Sequence, residues 1–423
     1  MKSAITMVVM LLALMLSYSC NQPQTGNQED QPEKKKEVTA KDILGNPDYL
    51  AISYGGYRET TRDKQPTMEQ LKEDMKILSA MGIKTIRTYN TQKAHASNVV
   101  KAIHQLKEED PDFEMYVMLG AWINCENAFT DHPNHDLEDE EANASEIQRA
   151  VNMANEYPDI IKIIAVGNEA MVKWAASYFV QPWVILKWVN HLQELKGKGQ
   201  LPKDLWITSS DNFASWGGGE AEYHVEDLTK LFKAVDFVSI HTYPMHDTHY
   251  NPDFWKMNGE EVGLSKFVKI DSVMARSKRY AMSQYQSVID YMRGLGVEKP
   301  VHIGETGWAT ASNSHYGPDG SGATDEYKAA IFYKLLREWT DAAGITCFYF
   351  EAFDEIWKDA QNPGGSENHF GLFKIDGKAK YALWELVDQG VFEGLSRDGN
   401  PIEKTYNGNK EALLEVVLTP EVK

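Results

Sequence analysis

Glu169 and Glu305 are the residues of this chain best placed for chemistry. Glu169 closes the run Ile161-Lys-Ile-Ile-Ala-Val-Gly-Asn-Glu169, and Glu305 stands in Val301-His-Ile-Gly-Glu305-Thr-Gly-Trp308. Each follows a short apolar run through a glycine-containing turn. A glutamate that only caps the next helix would look the same in either run alone. If both runs are strands of one parallel barrel, however, both carboxyl groups face one mouth. Two carboxyls across a cleft suit cleavage of the acetal between two sugars. One protonates the leaving oxygen, and the other stabilises or attacks the sugar carbon. The acid must keep its proton near neutral pH, through burial or a nearby carboxylate, while its partner stays ionised.

The elements that would position this pair are readable. Eight short apolar or β-branched runs recur at Tyr49–Tyr54, Thr85–Tyr89, Met115–Leu119, Ile161–Val166, Leu205–Ser209, Phe237–His241, Val301–Gly304 and Thr346–Phe350. Helical patterns separate them. Thr67-Met-Glu-Gln70 reads as a capping box before Leu71, Met75 and Leu78, and Ser145-x-x-Gln148 as another before Ala150 and Met153. Pro182 suits the first turn of a helix carrying Ile185, Leu186 and Val189. Tyr285 to Met292 and Ala329 to Leu335 mark two more. Strands alternating with helices predict a parallel α/β sheet, and eight units predict closure into a (β/α)8 TIM barrel over residues 46–390. Long connections at 121–143, 211–225 and 242–279 should build the cleft on the C-terminal face.

Polar and aromatic residues gather at the predicted strand ends: Tyr54, Arg87, Tyr89, Asn168, His241, Tyr243, Trp308, Glu355 and Lys358. Arg87 and Lys358 are cations able to keep a carboxylate ionised. Asn168 is placed to bond a sugar hydroxyl or its neighbouring glutamate, His241 to reach a sugar hydroxyl, and Tyr243 to donate to the nucleophile. Trp122, Trp174 and Trp308 are candidate stacking platforms.

Ile52-Ser-Tyr-Gly-Gly56, Ile86-Arg-Thr-Tyr89, Val166-Gly-Asn-Glu169, Thr242-Tyr-Pro244, Ile303-Gly-Glu-Thr-Gly-Trp308, Phe353-Asp-Glu355 with Lys358, and Glu367-Asn-His-Phe-Gly-Leu-Phe373 resemble, in order, the motifs of glycoside hydrolase family 17, the β-1,3-glucanases and their relatives. The resemblance implies a retaining enzyme without metal or other cofactor, with Glu169 as acid/base and Glu305 as nucleophile. Glu355, Lys358 and Glu367 correspond to a supporting charged group. Two positions depart from the family pattern: Ala309 replaces a proline, and Glu351 replaces a frequent alanine. The expected activity is endo-cleavage of laminarin-type β-1,3-glucan. A β-1,3-glucanosyltransferase and a non-catalytic glycan-binding lipoprotein are the alternatives.

Lys2, the apolar run Ile5–Leu16 and Leu16-Ser-Tyr-Ser-Cys20 resemble a bacterial lipoprotein signal peptide spanning residues 1–19, with lipid on Cys20. Residues 20–45 read as a flexible tether and 391–423 as a tail without a clear pattern. The expected product is a monomer anchored in the cell envelope at the outer membrane. The net charge of −19 argues against nucleic acid as a partner. Cys125 and Cys347 do not make a disulfide framework. The histidine–aspartate groups at 131–136 and 241–249 lack metal-ligand spacing and read as loop, as does Gly217-Gly-Gly219. Glu138–Glu141 reads as a solvated acidic face, and Asn143-Ala-Ser145 as helix capping.

Overall fold

The computed structural model describes residues 37–420. Eight parallel strands close into a barrel: β1 (Leu50–Ser53), β2 (Ile83–Arg87), β3 (Tyr116–Ala121), β4 (Ile161–Asn168), β5 (Trp206–Asn212), β6 (Val238–His241), β7 (Val301–Gly307) and β8 (Cys347–Phe350). Each strand pairs with its neighbours in sequence, and β8 pairs with β1 through Ala51 opposite Phe348. All eight predicted runs are barrel strands. They read as continuous apolar runs because both faces are covered: helices pack outside, and side chains fill the inside. Ala51, Met118, Ile163, Ala165, Phe237 and Phe348 form the inner cluster. The larger cluster joins the outer strand faces to the helices.

Helices α1 (Met68–Ala80), α2 (His95–Glu109), α3 (Glu140–Glu156), α4 (Pro182–Gly197), α5 (Glu226–Ala234), α6 (Lys266–Gly294), α7 (Glu326–Ala343) and the short α8 (Trp384–Asp388) follow the strands in turn. Thr67 and Gln70 form the expected capping box, and Pro182 opens α4. The second expected box is absent. Asp139 caps α3 by accepting from Ala142 N, so Ser145 lies inside the helix. Asn143 is buried there and clamps the β3 connection, bonding both N and O of Asn124, rather than capping. Glu138 is no free acidic face either, since it accepts from Trp188 Nε1 at 2.7 Å and pairs with Lys187. Cys125 and Cys347 are free and buried.

Two boundaries move. Cys20 and most of the expected tether lie outside the described residues, but the tether's last part is packed. Thr39 caps the turn Ala40–Ile43, and Ala40 and Leu44 join the inner barrel cluster. Within the expected tail, Ser396–Arg397 pairs with Asn400–Pro401, and Lys410–Glu415 is helical. Arg397 is fully buried against Asp74 of α1.

Candidate active site

β4 ends in a turn that ordinary residues avoid. Gly167 has φ +80°, and Glu169 itself has φ +46°. A Cβ on Gly167 would lie 2.9 Å from that of Ala170, so glycine fits where a side chain would crowd. Glu169 lacks that freedom, and its left-handed backbone must be held by its surroundings. β5 supplies the hold. Glu169 N donates to Ser210 O at 3.0 Å, and Asp211 Oδ2 accepts from Met171 N at 2.6 Å. Asp211 is fully buried and fixed in turn by Ser215 Oγ at 2.7 Å. Burial pushes the Asp211 carboxyl up to about 6, against those hydrogen bonds.

β7 brings Glu305 to the same cavity, a cleft of about 770 Å³ that both glutamates line. Three donors from the ends of two strands serve its carboxylate. Arg87 Nη1 from the end of β2 donates to Oε2 at 2.9 Å, Tyr89 Oη to Oε2 at 2.8 Å, and Tyr243 Oη beyond β6 to Oε1 at 2.6 Å. Arg87 also donates to Gly304 O at 2.7 Å and Asn168 Oδ1 at 2.5 Å. His241 joins the two acids. Its Nε2 lies 3.2 Å from Arg87 Nη1 and its Nδ1 3.1 Å from Glu169 Oε1. Arg87 can only donate, so Nε2 accepts, and the ring proton sits on Nδ1 facing Glu169. Burial pushes the imidazole down to about 4, which fits a neutral ring.

The two glutamates titrate in opposite directions. Burial, reinforced by the charge of Glu305, holds Glu169 well above the usual carboxyl range, with Arg87 opposing. Burial alone would raise Glu305 as well. The Arg87 guanidinium and the hydroxyls of Tyr243 and Tyr89 oppose it, and the carboxyl is held below its ordinary value. Within one cleft the two carboxyls are thus shifted apart, Glu169 toward holding its proton and Glu305 toward losing it.

Several sequence-based assignments sit elsewhere. Tyr54 is buried and donates to Asp74 Oδ2 at 2.8 Å, away from the cleft. Trp308 is fully buried, donating to Ala323 O and packing on Trp255 and Phe332. Both belong to the core because each found an internal partner for its polar atom. Trp122 is half-buried against Tyr178, and of the three tryptophans Trp174 alone lines the cavity, 63% exposed. Glu355 and Lys358 form a buried group with Glu351: Lys358 Nζ lies 2.8 Å from Glu351 and 3.4 Å from Glu355, above the Phe350 ring. Glu351, the departure from the family pattern, is therefore paired, and Glu355 also accepts from Tyr57 N. Glu367 lines the cavity. Among the described residues no histidine–carboxylate group could hold a metal. Sequence reasoning missed Ser210 and Asp211, although the polar run Ser209-Ser-Asp-Asn212 at a strand end was a signal. It also missed Phe350 and Phe370, cavity walls that look like ordinary core.

Comparison with known proteins gives a consistent picture. A family model described as the BtgE/BtgC glycoside hydrolase domain matches residues 51–371. The solved endo-laminarinase of Formosa Hel1_33_131 is 70% identical, with a TM-score of 0.90 over 91% of this chain and 98% of that one. A glucan 1,3-beta-glucosidase of Arthroderma benhamiae is 25% identical over 318 residues, 73% of this chain and 82% of that protein. A protein of Aspergillus flavus named "Probable glucan endo-1,3-beta-glucosidase btgC" is 23% identical over 374 residues. The chain spans 45% of that relative's length.

Proposed function

The chain belongs to the BtgE/BtgC glycoside hydrolase family, and from that premise we propose that it cleaves linear β-1,3-glucan internally, by hydrolysis with retention. The observation that carries this reading is the pair of glutamates that line one cleft, their carboxyls shifted in opposite directions by their surroundings. The ionised Glu305 attacks the anomeric carbon. Glu169 protonates the departing glycosidic oxygen, and the C–O bond breaks to leave a glycosyl ester on Glu305. Glu169, now a carboxylate, takes a proton from water as the water oxygen displaces Glu305, and two inversions restore the β configuration. His241 donates from Nδ1 to that carboxylate, and Tyr89, Tyr243 and Arg87 orient the nucleophile. The names of the 70% identical endo-laminarinase and of the fungal glucan glucosidases support the substrate class.

The test is the size and anomeric form of products from a linear β-1,3-glucan. The expected result is a falling mean length with β-anomers released first. Products longer than the substrate would mean transfer to sugar instead, and α-anomers first would mean inversion. Glu305→Gln should lose nearly all turnover while keeping its fold.

The proposal extends to the address. The Leu16-Ser-Tyr-Ser-Cys20 motif lies outside the described residues and supports a lipid on Cys20, anchoring a monomeric domain to the outer membrane. Cys20→Ala should move the protein from the membrane fraction to the soluble one with turnover retained. Equal fractionation of both forms would remove the anchor.

A further inference from the structure

The connection after β3 forms a hairpin, with Cys125–Glu126 paired to Asn134–Glu138. Its tip presents Phe129, 63% exposed. That exposure is held in place rather than loose. Phe129 has φ +60°, a left-handed backbone that bulky residues avoid, and Asn127 two residues before it has φ +57°. Phe129 N donates to Ser177 O at 2.7 Å, which ties the tip to the loop after β4. The ring stacks on Tyr178 at 5.5 Å and 29°, and Tyr178 meets Trp122 at 4.9 Å. Burial, followed by the charges of Glu169, Asp211 and Glu305, pushes the Tyr178 hydroxyl up. A run of aromatic contacts therefore leads from Trp122 through Tyr178, on the loop after β4, to a solvent-facing ring. Trp174, on the same loop after β4, lines the cavity.

We propose that Phe129 is a remote sugar-binding platform, a subsite that engages a β-1,3-glucan chain beyond the acid Glu169 on the leaving-group side and sets the preferred substrate length. The proposal rests on the glucanase reading above. An exposed apolar ring fixed against the rotation of its own backbone offers a stacking face at little entropic loss on binding. The alternating apolar faces of pyranose rings match it, and the bond to Ser177 ties it to the loop whose Trp174 lines the cleft. Only a chain long enough to pass Glu169 and reach the hairpin tip gains the contact.

The experiment compares kcat/KM of the full chain on linear β-1,3-gluco-oligosaccharides from trimer to octamer, for wild type, Phe129→Ala and Phe129→Tyr. The expected result is a ratio of long-chain to short-chain kcat/KM that falls about tenfold in Phe129→Ala, by analogy with base–aromatic stacking, and is restored in Phe129→Tyr. The ratio is independent of the fraction of enzyme folded, so a partly unfolded variant still reports. An unchanged ratio in Phe129→Ala, with wild type active on the series, would overturn the platform alone. A wild type inactive on every oligomer would overturn the glucanase reading and the platform with it.

Discussion

Glu169 is shifted toward holding its proton and Glu305 toward losing its own, although both line one cleft, because the hydrogen-bond donors are distributed unequally. Glu305 receives an arginine and two phenols, whereas Glu169 receives one imidazole N–H. The sign of the consequence follows from linkage. Glu169 has a folded-state pKa above its unfolded one, so its contribution to stability is complete below the ordinary carboxyl range and is lost as pH rises through the raised value. Glu169→Gln cannot release a proton. Its melting temperature relative to wild type should therefore rise with pH across that window, and a gap that stays constant with pH would argue that Glu169 is ionised. Activity should show the same group as the basic limb of a bell, with Glu305 setting the acid limb at lower pH. At this scale the glutamate pair was legible in sequence, since two such turns on strands of one parallel barrel bring their carboxyls to one mouth. Tyr54 and Trp308 were not, because a strand-end aromatic can turn to the cleft or to the core. The choice depends on distant partners, Asp74 and the Ala323 carbonyl.

The strands were legible as elements because burial on both faces leaves an apolar run with no polar alternation, a pattern that short amphipathic segments do not copy. Helix starts were less so. Ser145-x-x-Gln148 has the composition of a capping box, but Asp139 begins α3 earlier, and a cap motif does not say which of two candidates wins. That helix also carries a device no motif announces. Glu146 is buried, and its Oε1 accepts from Thr91 N at 2.5 Å and Trp122 N at 3.0 Å, while Oε2 pairs with Arg149 at 2.6 Å. One side chain thus pins the connections after β2 and β3 to α3. Glu146→Ala leaves two backbone donors without this acceptor and should lower stability by about 2–4 kcal/mol, seen as a lower denaturant midpoint at unchanged slope. A midpoint within error of wild type would mean that water replaces the carboxylate freely. Because the segment after β2 carries Tyr89 to Glu305, the variant should also lose turnover, by less than Glu305→Gln loses.

Over the whole molecule, the barrel closes where β8 meets β1, and the C-terminal segment lies across that seam. Arg397 Nε bonds Asp74 Oδ1 of α1 at 3.0 Å, and its guanidinium lies 4.0 Å from the centre of the Phe353 ring just past β8. Asp398 reaches Arg58 at 3.2 Å and Gln70 at 2.7 Å, and Phe392 packs on Phe373. These residues are 323 positions apart at the Arg397–Asp74 contact and share no periodicity, so sequence patterning gave no reason to expect them together. Asp74 is fully buried and needs both arginines and the Tyr54 hydroxyl to offset the loss of water. Ending the chain after Gly390 removes Arg397 and Asp398 and uncovers Phe353 and Phe373, while leaving every residue named at the cleft in place. The shortened protein should therefore be less stable by about 3–5 kcal/mol, the cost of leaving a buried charge short of a partner. Asp74→Asn in the shortened chain should recover part of that loss, because a neutral amide needs one fewer cation. Equal melting of the shortened and full chains would show the segment to be dispensable. Failure of Asp74→Asn to help would place the lost stability in the aromatic packing of Phe392 instead of the ion pair.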